Sequence, residues 1–103
     1  MSFTVRYSAA ARDDLKRLYK YLLDGATSVE DLAQAERALE TIAGSVDTLA
    51  RSPFIYRKAG ANPFLRELLV PFGNSGYVIL FEIENASTVT ILAVRHQRED
   101  DYH

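Results

Sequence analysis

A chain of 103 residues supports one domain with one hydrophobic core, and 48% hydrophobic with 25% charged residues is the balance of an ordinary globular fold. The net charge of −2 argues against a general nucleic-acid binder, and the absence of cysteine excludes disulfides and thiolate metal sites, as suits a reducing cytoplasm. The first residues, MSFTVRYSAAARDDL, hold no apolar stretch long enough for a signal peptide, and no run approaches the roughly 20 apolar residues of a membrane span, so no membrane role is expected.

In chain order, residues 2–7 alternate Phe3, Val5 and Tyr7 against polar neighbours and read as a short strand. Ser8 is a candidate N-cap for a helix ending at Gly25, with the apolar stripe Ala11, Leu15, Leu18 and Leu22 and with Asp13 and Asp14 placed for the positive end of the helix dipole. Thr27-Ser28-Val29-Glu30 has the form of a capping box. The second helix then runs to about Arg51, with Val29, Leu32, Ala35, Leu39, Ile42, Val46 and Leu49 making one face apolar throughout. Ser52-Pro53 stops it, and the short connection between the helices requires an antiparallel hairpin.

Three strands follow at 64–70, 77–83 and 88–95, separated by Phe72-Gly73-Asn74-Ser75-Gly76 and by Asn85-Ala86-Ser87. Connections this short imply an antiparallel meander. The last two strands are apolar on alternate positions of both parities (Val78 and Leu80 against Ile79 and Phe81; Val89 and Ile91 against Leu92 and Val94). They are therefore expected to be central and covered, at least partly, on both faces. The predicted architecture is β-α-α-β-β-β, an α+β fold with a helical hairpin packed on an antiparallel sheet; the pairing of the first strand is open.

No phosphate-cradling loop, HExxH or nucleophile elbow is present, and two histidines without cysteine give no basis for a structural metal site. The remaining chemical candidates are the cations Arg57, Lys58, Arg66, Arg95, His96 and Arg98, with Tyr102 and His103 at the end. RNA cleavage by the 2′-hydroxyl needs a base, an acid and fixed positive charge at the phosphate, and such residues meet those needs only if they converge. Each also has a plain structural reading: Arg95 as an edge cation, His96 as a packed histidine, Arg66 as a partner of Asp100 or Asp101, and Glu99–Asp101 as a solvated tail. Tyr19 and Tyr21 point to different sides of the first helix, so one of them is available to a partner.

The ordered set VRYSAAARDDLKRLYKYL, the helix ending LARSP, LRELLV, GYVILFEI and VTILAVRHQRED resembles the RelE/ParE superfamily of toxins from bacterial toxin–antitoxin operons, over nearly the whole chain. The resemblance implies a toxin silenced by an antitoxin encoded beside it. RelE-like members cut mRNA in the ribosome; ParE-like members inhibit DNA gyrase without catalysis. Gly76-Tyr77 is followed by Val78 rather than a basic residue, the preceding strand offers only Arg66, and the chain is mildly acidic, all of which favour the ParE side. The resemblance then implies no catalytic residues and no cofactor. It implies a ParD-like antitoxin, gyrase as target, and operator DNA reached only through the antitoxin. The binding residues would be Tyr19, Tyr21, Arg66, Arg95, His96 and Arg98. The RelE-like alternative would use Arg66, His96, Arg98, Tyr102 and His103 as catalytic groups. A third reading is a chain that has lost toxicity and serves only antitoxin-coupled autoregulation.

Overall fold

The computed structural model describes residues 2–99. β1 (Thr4–Tyr7) leads directly into α1 (Ala9–Asp24), and α2 (Val29–Asp47) follows after a four-residue turn. The expected hairpin forms. Tyr19 Oη donates to Glu36 Oε1 at 2.7 Å, a contact between the two helices on either side of the turn, as an antiparallel hairpin allows. The remaining strands are β2 (Arg57–Lys58), β3 (Leu65–Phe72), β4 (Ser75–Asn85) and β5 (Thr88–His96).

α1 is capped as read from the sequence, with Ser8 Oγ accepting from Ala11 N at 3.0 Å. The cap of α2 lies one residue later than the Thr27 box. Ser28 Oγ accepts from Asp31 N at 3.1 Å, and Asp31 Oδ2 takes both Thr27 N (2.9 Å) and Thr27 Oγ1 (3.1 Å). Both registers offer a hydroxyl and an acid three residues apart; this one satisfies three donors with two side chains. At its other end α2 stops at Asp47 and tightens into a 3₁₀ turn, Thr48–Ala50, rather than running as α-helix to Arg51.

The sheet has the order β1-β5-β4-β3-β2. β3, β4 and β5 form the expected antiparallel meander, while β1 joins β5 in parallel, so the whole sheet is mixed. The two-residue edge strand β2, opposite Arg66 and Glu67, was not expected. Gly73 and Asn74 turn the β3–β4 hairpin, and Gly73 sits at φ 60°, the conformation glycine supplies at the first centre of such a turn.

One irregularity matters downstream. In the β4–β5 ladder Leu80 faces Ala93 but Phe81 faces Ile91, so Leu92 is an extra residue on β5. The bulge shifts parity: Val94 and His96 leave the same face as Val89 and Ile91, where uninterrupted alternation would have placed Arg95.

The hairpin covers that face. Ala11 and Leu18 of α1 and Ala38, Ile42 and Val46 of α2 pack on Val70, Ile79, Phe81, Val89, Ile91 and Val94 in one core. Each fully buried large side chain contributes about 1.5–3 kcal/mol relative to exposure. One expectation is corrected here. The apolar face of α2 is not covered throughout: Val29 and Leu32, at the hairpin tip, are 78% and 47% exposed. The second face of the sheet is covered only in part, as expected for β4 and β5, with Thr90 and Ala93 buried there. Val78 and Leu80 there are half-buried and Leu69 is exposed. They are shielded at the margins by Arg57–Glu67 (3.0 Å) and by Arg6, which pairs with Glu84 (3.1 Å) and bonds Thr90 (3.0 Å). No described helix is long and apolar enough to cross a membrane.

Gly76 faces Pro71 across the β3–β4 hairpin, and a Cβ there would collide with the Val70 carbonyl oxygen. Gly76→Ala is expected to lower unfolding free energy by about 1–3 kcal/mol or more in urea titrations. Asp31 titrates below its ordinary 3.8 because the Thr27 amide and hydroxyl donate to the carboxylate. A depressed folded-state pKa gives stability that is present above the unfolded value and lost as pH falls through the folded one. Between about pH 5 and pH 2 the wild-type melting temperature should therefore fall further than that of Asp31→Asn, measured by circular dichroism.

Candidate functional site

β1 ends opposite Ile91, so among the described residues the outer edge of β5 beyond that point has no strand beside it. The start of α1 serves that edge instead. Ser8 N donates to Ile91 O at 2.9 Å, Ser8 Oγ to Leu92 O at 3.4 Å, and Val94 N donates to Asp14 Oδ2 at 2.9 Å. Asp14 is thus not a helix-dipole residue; it lies beyond the first turn of α1 and replaces a missing ladder partner. Its second oxygen pairs with Arg17 at 3.0 Å.

Between α1 and the last residues of β5 this arrangement leaves a groove of about 550 Å³, lined by Asp14, Arg17, Leu18, Tyr21, Leu22, Tyr77, Val94, His96 and Arg98. Its floor is Tyr77, 3% exposed, whose hydroxyl pKa is raised by burial. His96 stands edge-on to Tyr77, with ring centroids 5.5 Å apart. Both ring nitrogens of His96 are engaged. Nδ1 accepts the Arg98 backbone N–H at 3.1 Å, which places the ring proton on Nε2, and Nε2 lies 3.0 Å from Ser75 Oγ. The ring therefore ties the chain end to the β3–β4 turn.

Of the residues singled out in the sequence, Tyr21, His96 and Arg98 meet in this groove. Tyr21 is 74% exposed at its rim. Tyr19 does not join them. It bridges the two helices through Glu36, and that hydrogen bond raises its phenol pKa. Arg95 leaves the opposite face of the sheet, opposite Val78. Arg66 is also elsewhere. It faces Phe81 on β4 while His96 sits two strands over at the level of Tyr77, a separation of roughly 15 Å. Its guanidinium donates to the carbonyls of Pro63 (2.9 Å), Phe54 (2.9 Å) and Tyr56 (2.7 Å), and it lies 5.3 Å from the centre of the Phe54 ring. Arg66 thus clamps the segment leading into β3. Arg57 is held by Glu67, and Lys58 is exposed on β2. Asp100, Asp101, Tyr102 and His103 lie outside the described residues.

Sequence reasoning missed Asp14, Arg17 and Tyr77 as parts of the site. The only signal for the first two was an acid outside the capping turn with an arginine three residues on. Among the described residues no three His, Asp or Glu side chains are grouped to hold a metal ion. The role of Asp14 is testable: Asp14→Ala leaves the Val94 amide without its charged acceptor and should cost about 1.5–3 kcal/mol in chemical unfolding, whereas Asp13→Ala, exposed one position earlier, should cost far less.

Comparison with known proteins agrees with this fold. Residues 5–101 match the family model of the ParE toxin of type II toxin–antitoxin systems, parDE. Toxin RelE3 of Caulobacter vibrioides is 33% identical over 96 residues, covering 93% of this chain and 96% of its own. Toxin RelE1 of the same organism is 33% identical over 87 residues, covering 84% and 86%. Among solved structures, the chromosomal ParDE toxin–antitoxin system from P. aeruginosa superposes with a TM-score of 0.73 at 16% identity, over 92% of this chain and 96% of that one, a likeness of fold. The parallel β1, the helical hairpin and the meander are thus the frame of a toxin, and this chain belongs to the ParE toxin family of type II toxin–antitoxin systems, within the RelE/ParE superfamily.

Proposed function

We propose that the chain injures its host by holding another protein, DNA gyrase, rather than by catalysis, and that a ParD-like antitoxin silences it. One observation carries this reading: among the described residues, Arg66 does not converge with His96 and Arg98. Arg66 is roughly 15 Å from His96 and gives Nε and Nη1 to three carbonyls. The His96 ring uses both nitrogens internally. A base and an acid must reach the 2′-hydroxyl and the leaving oxygen, within about 3 Å of each, and fixed charge must meet the phosphate at the same place.

The groove beside α1 suits the antitoxin. It offers apolar lining (Leu18, Leu22, Val94), an exposed tyrosine and the cations Arg17 and Arg98. The hairpin tip adds the exposed Val29 and Leu32. An amphipathic helix with carboxylates on its flank fits such a surface, apolar side chains inward and acids on the arginines. Operator DNA is contacted in this reading through the antitoxin alone.

A second reading rests on a specific observation. Arg17, Tyr21, Tyr77, His96 and Arg98 bring cations and hydroxyls to one groove, and the relatives at 33% identity are named RelE toxins. In that reading the chain cuts mRNA on the ribosome.

Two assays separate them. Purified chain added to gyrase, plasmid and ATP is expected to block supercoiling or accumulate cleaved DNA, and toeprints of translating ribosomes are expected to show no new cut. Fresh A-site cuts that vanish in His96→Ala and Arg98→Ala, with supercoiling unimpaired, would reverse the assignment. Tyr21→Ser should weaken antitoxin capture by about tenfold while leaving the fold intact.

A further inference from the structure

The chain is acidic as a whole, but its charge is not evenly spread. Residues 48–66 hold four of the twelve lysines and arginines (Arg51, Arg57, Lys58, Arg66) and none of the fourteen acids. The same segment carries three of the large apolar side chains that stay in water: Phe54 at 50%, Ile55 at 73% and Phe64 at 50% exposure. Phe54 and Phe64 meet edge to face, with centroids 6.4 Å apart. Lys58 lies directly across from Arg66 in the β2–β3 ladder, so both side chains leave the face on which the two rings gather. Among the described residues Arg51, Lys58 and Arg66 make no ion pair; the partners of Arg66 are neutral carbonyls, so its charge is not compensated.

This patch is separate from the groove. Phe64 O accepts from Ile83 N, while the groove lies at the level of Tyr77, six residues along β4 or about 20 Å. A family toxin has two classes of partner to hold, the antitoxin and the target, and this molecule presents two surfaces of different make. The groove is concave with an acid among its cations; the patch is an exposed aromatic pair in a segment that holds no acid. We propose that Phe54, Ile55, Phe64 and Lys58 form the surface that seizes the target protein, through an acidic segment bearing apolar side chains. This rests on the protein-holding reading above. A protein segment is favoured over single-stranded nucleic acid for two reasons. One face of Phe54 is already taken by the Arg66 guanidinium, leaving less ring surface for a base to stack on, and the negative net charge of the chain opposes a polyanion at long range.

The test uses the double variant Ile55→Ser/Lys58→Glu. Both side chains are exposed and neither makes a side-chain hydrogen bond, so the fold should be kept. Three readouts are compared with wild type: the concentration that half-inhibits gyrase supercoiling, growth arrest on expression without antitoxin, and capture by the product of the adjacent upstream reading frame. The expected result is a rise of about tenfold or more in the inhibitory concentration and loss of growth arrest, with capture and melting temperature within error of wild type. Full growth arrest by the variant overturns the proposal, as does a parallel loss of capture. Binding of short oligothymidylate by wild type but not by the variant also overturns it, in favour of nucleic acid. If wild-type chain leaves gyrase untouched, the gyrase reading fails by itself, and the growth-arrest and capture arms still decide whether this patch is where the target is held.

Discussion

The structure depends on how the outer edge of β5 is satisfied once β1 has ended. A backbone N–H or carbonyl buried without a partner costs on the order of 1–3 kcal/mol, and β5 continues five residues past the last rung of the parallel ladder. The chain solves this with the residues that come next. Ser8 follows β1, caps α1 and also donates to Leu92 O; Asp14, nearly two turns along, accepts from Val94 N. The side chains of a helix stand in for a strand. Because a helix is wider than a strand, it cannot close against the sheet as a sixth strand would. The space left between α1 and β5 is the groove.

The Leu92 bulge is the second half of that arrangement. Without it His96 would project from the uncovered face and Arg95 would sit under the helices. With it, His96 reaches Tyr77 and Ser75, and its ring fixes the backbone of Arg98. A single extra residue thereby decides which end-of-strand side chain lines the groove. The sequence run TVTILAVRH shows unbroken hydrophobicity around Leu92, so alternation alone cannot reveal where parity changes. Residues on both faces are apolar, and the signal that marks a bulge in a half-exposed strand is absent here.

Most of the frame was nevertheless legible: helix stripes, the Ser8 cap, and turn residues between three β-rich runs. What escaped was of one kind. Period and propensity report local structure, while the differences came from contacts far apart in sequence. Asp14 is read locally as a dipole acid because its true partner lies eighty residues away. Arg66 is read as a candidate binding or catalytic cation because its charge is visible and its three carbonyl partners are not. Val29 and Leu32 are read as core because they continue the stripe of α2, yet the stripe runs on past the end of what it covers. The candidate site was legible only in part for the same reason. Tyr21, His96 and Arg98 were picked out by residue type; that they meet, and that Tyr19, Arg66 and Arg95 do not join them, follows from tertiary packing.

The apolar side chains left in water are unevenly placed. Apart from Leu69 on β3, they gather at two places: Tyr21, Leu23, Val29 and Leu32 at the end of α1 and the start of α2, and Phe54, Ile55 and Phe64 between α2 and β3. Scattered exposure of single apolar residues is normal on any monomer, but grouping them at two places concentrates the gain from later burial. An exposed aromatic gains little from the folded chain itself, so its cluster is selected by something other than folding stability. Arg66 makes the same point from the polar side. Its guanidinium could have been spent on Glu67 next to it in sequence, but that carboxylate is directed to the other face and taken by Arg57. Arg66 instead braces the carbonyls of Phe54 and Tyr56 and one side of the Phe54 ring. The segment is thus held rigid with its apolar side chains outward. Rigidity of that kind lowers the entropy cost of association, because the side chains that a partner must meet are ordered before it arrives.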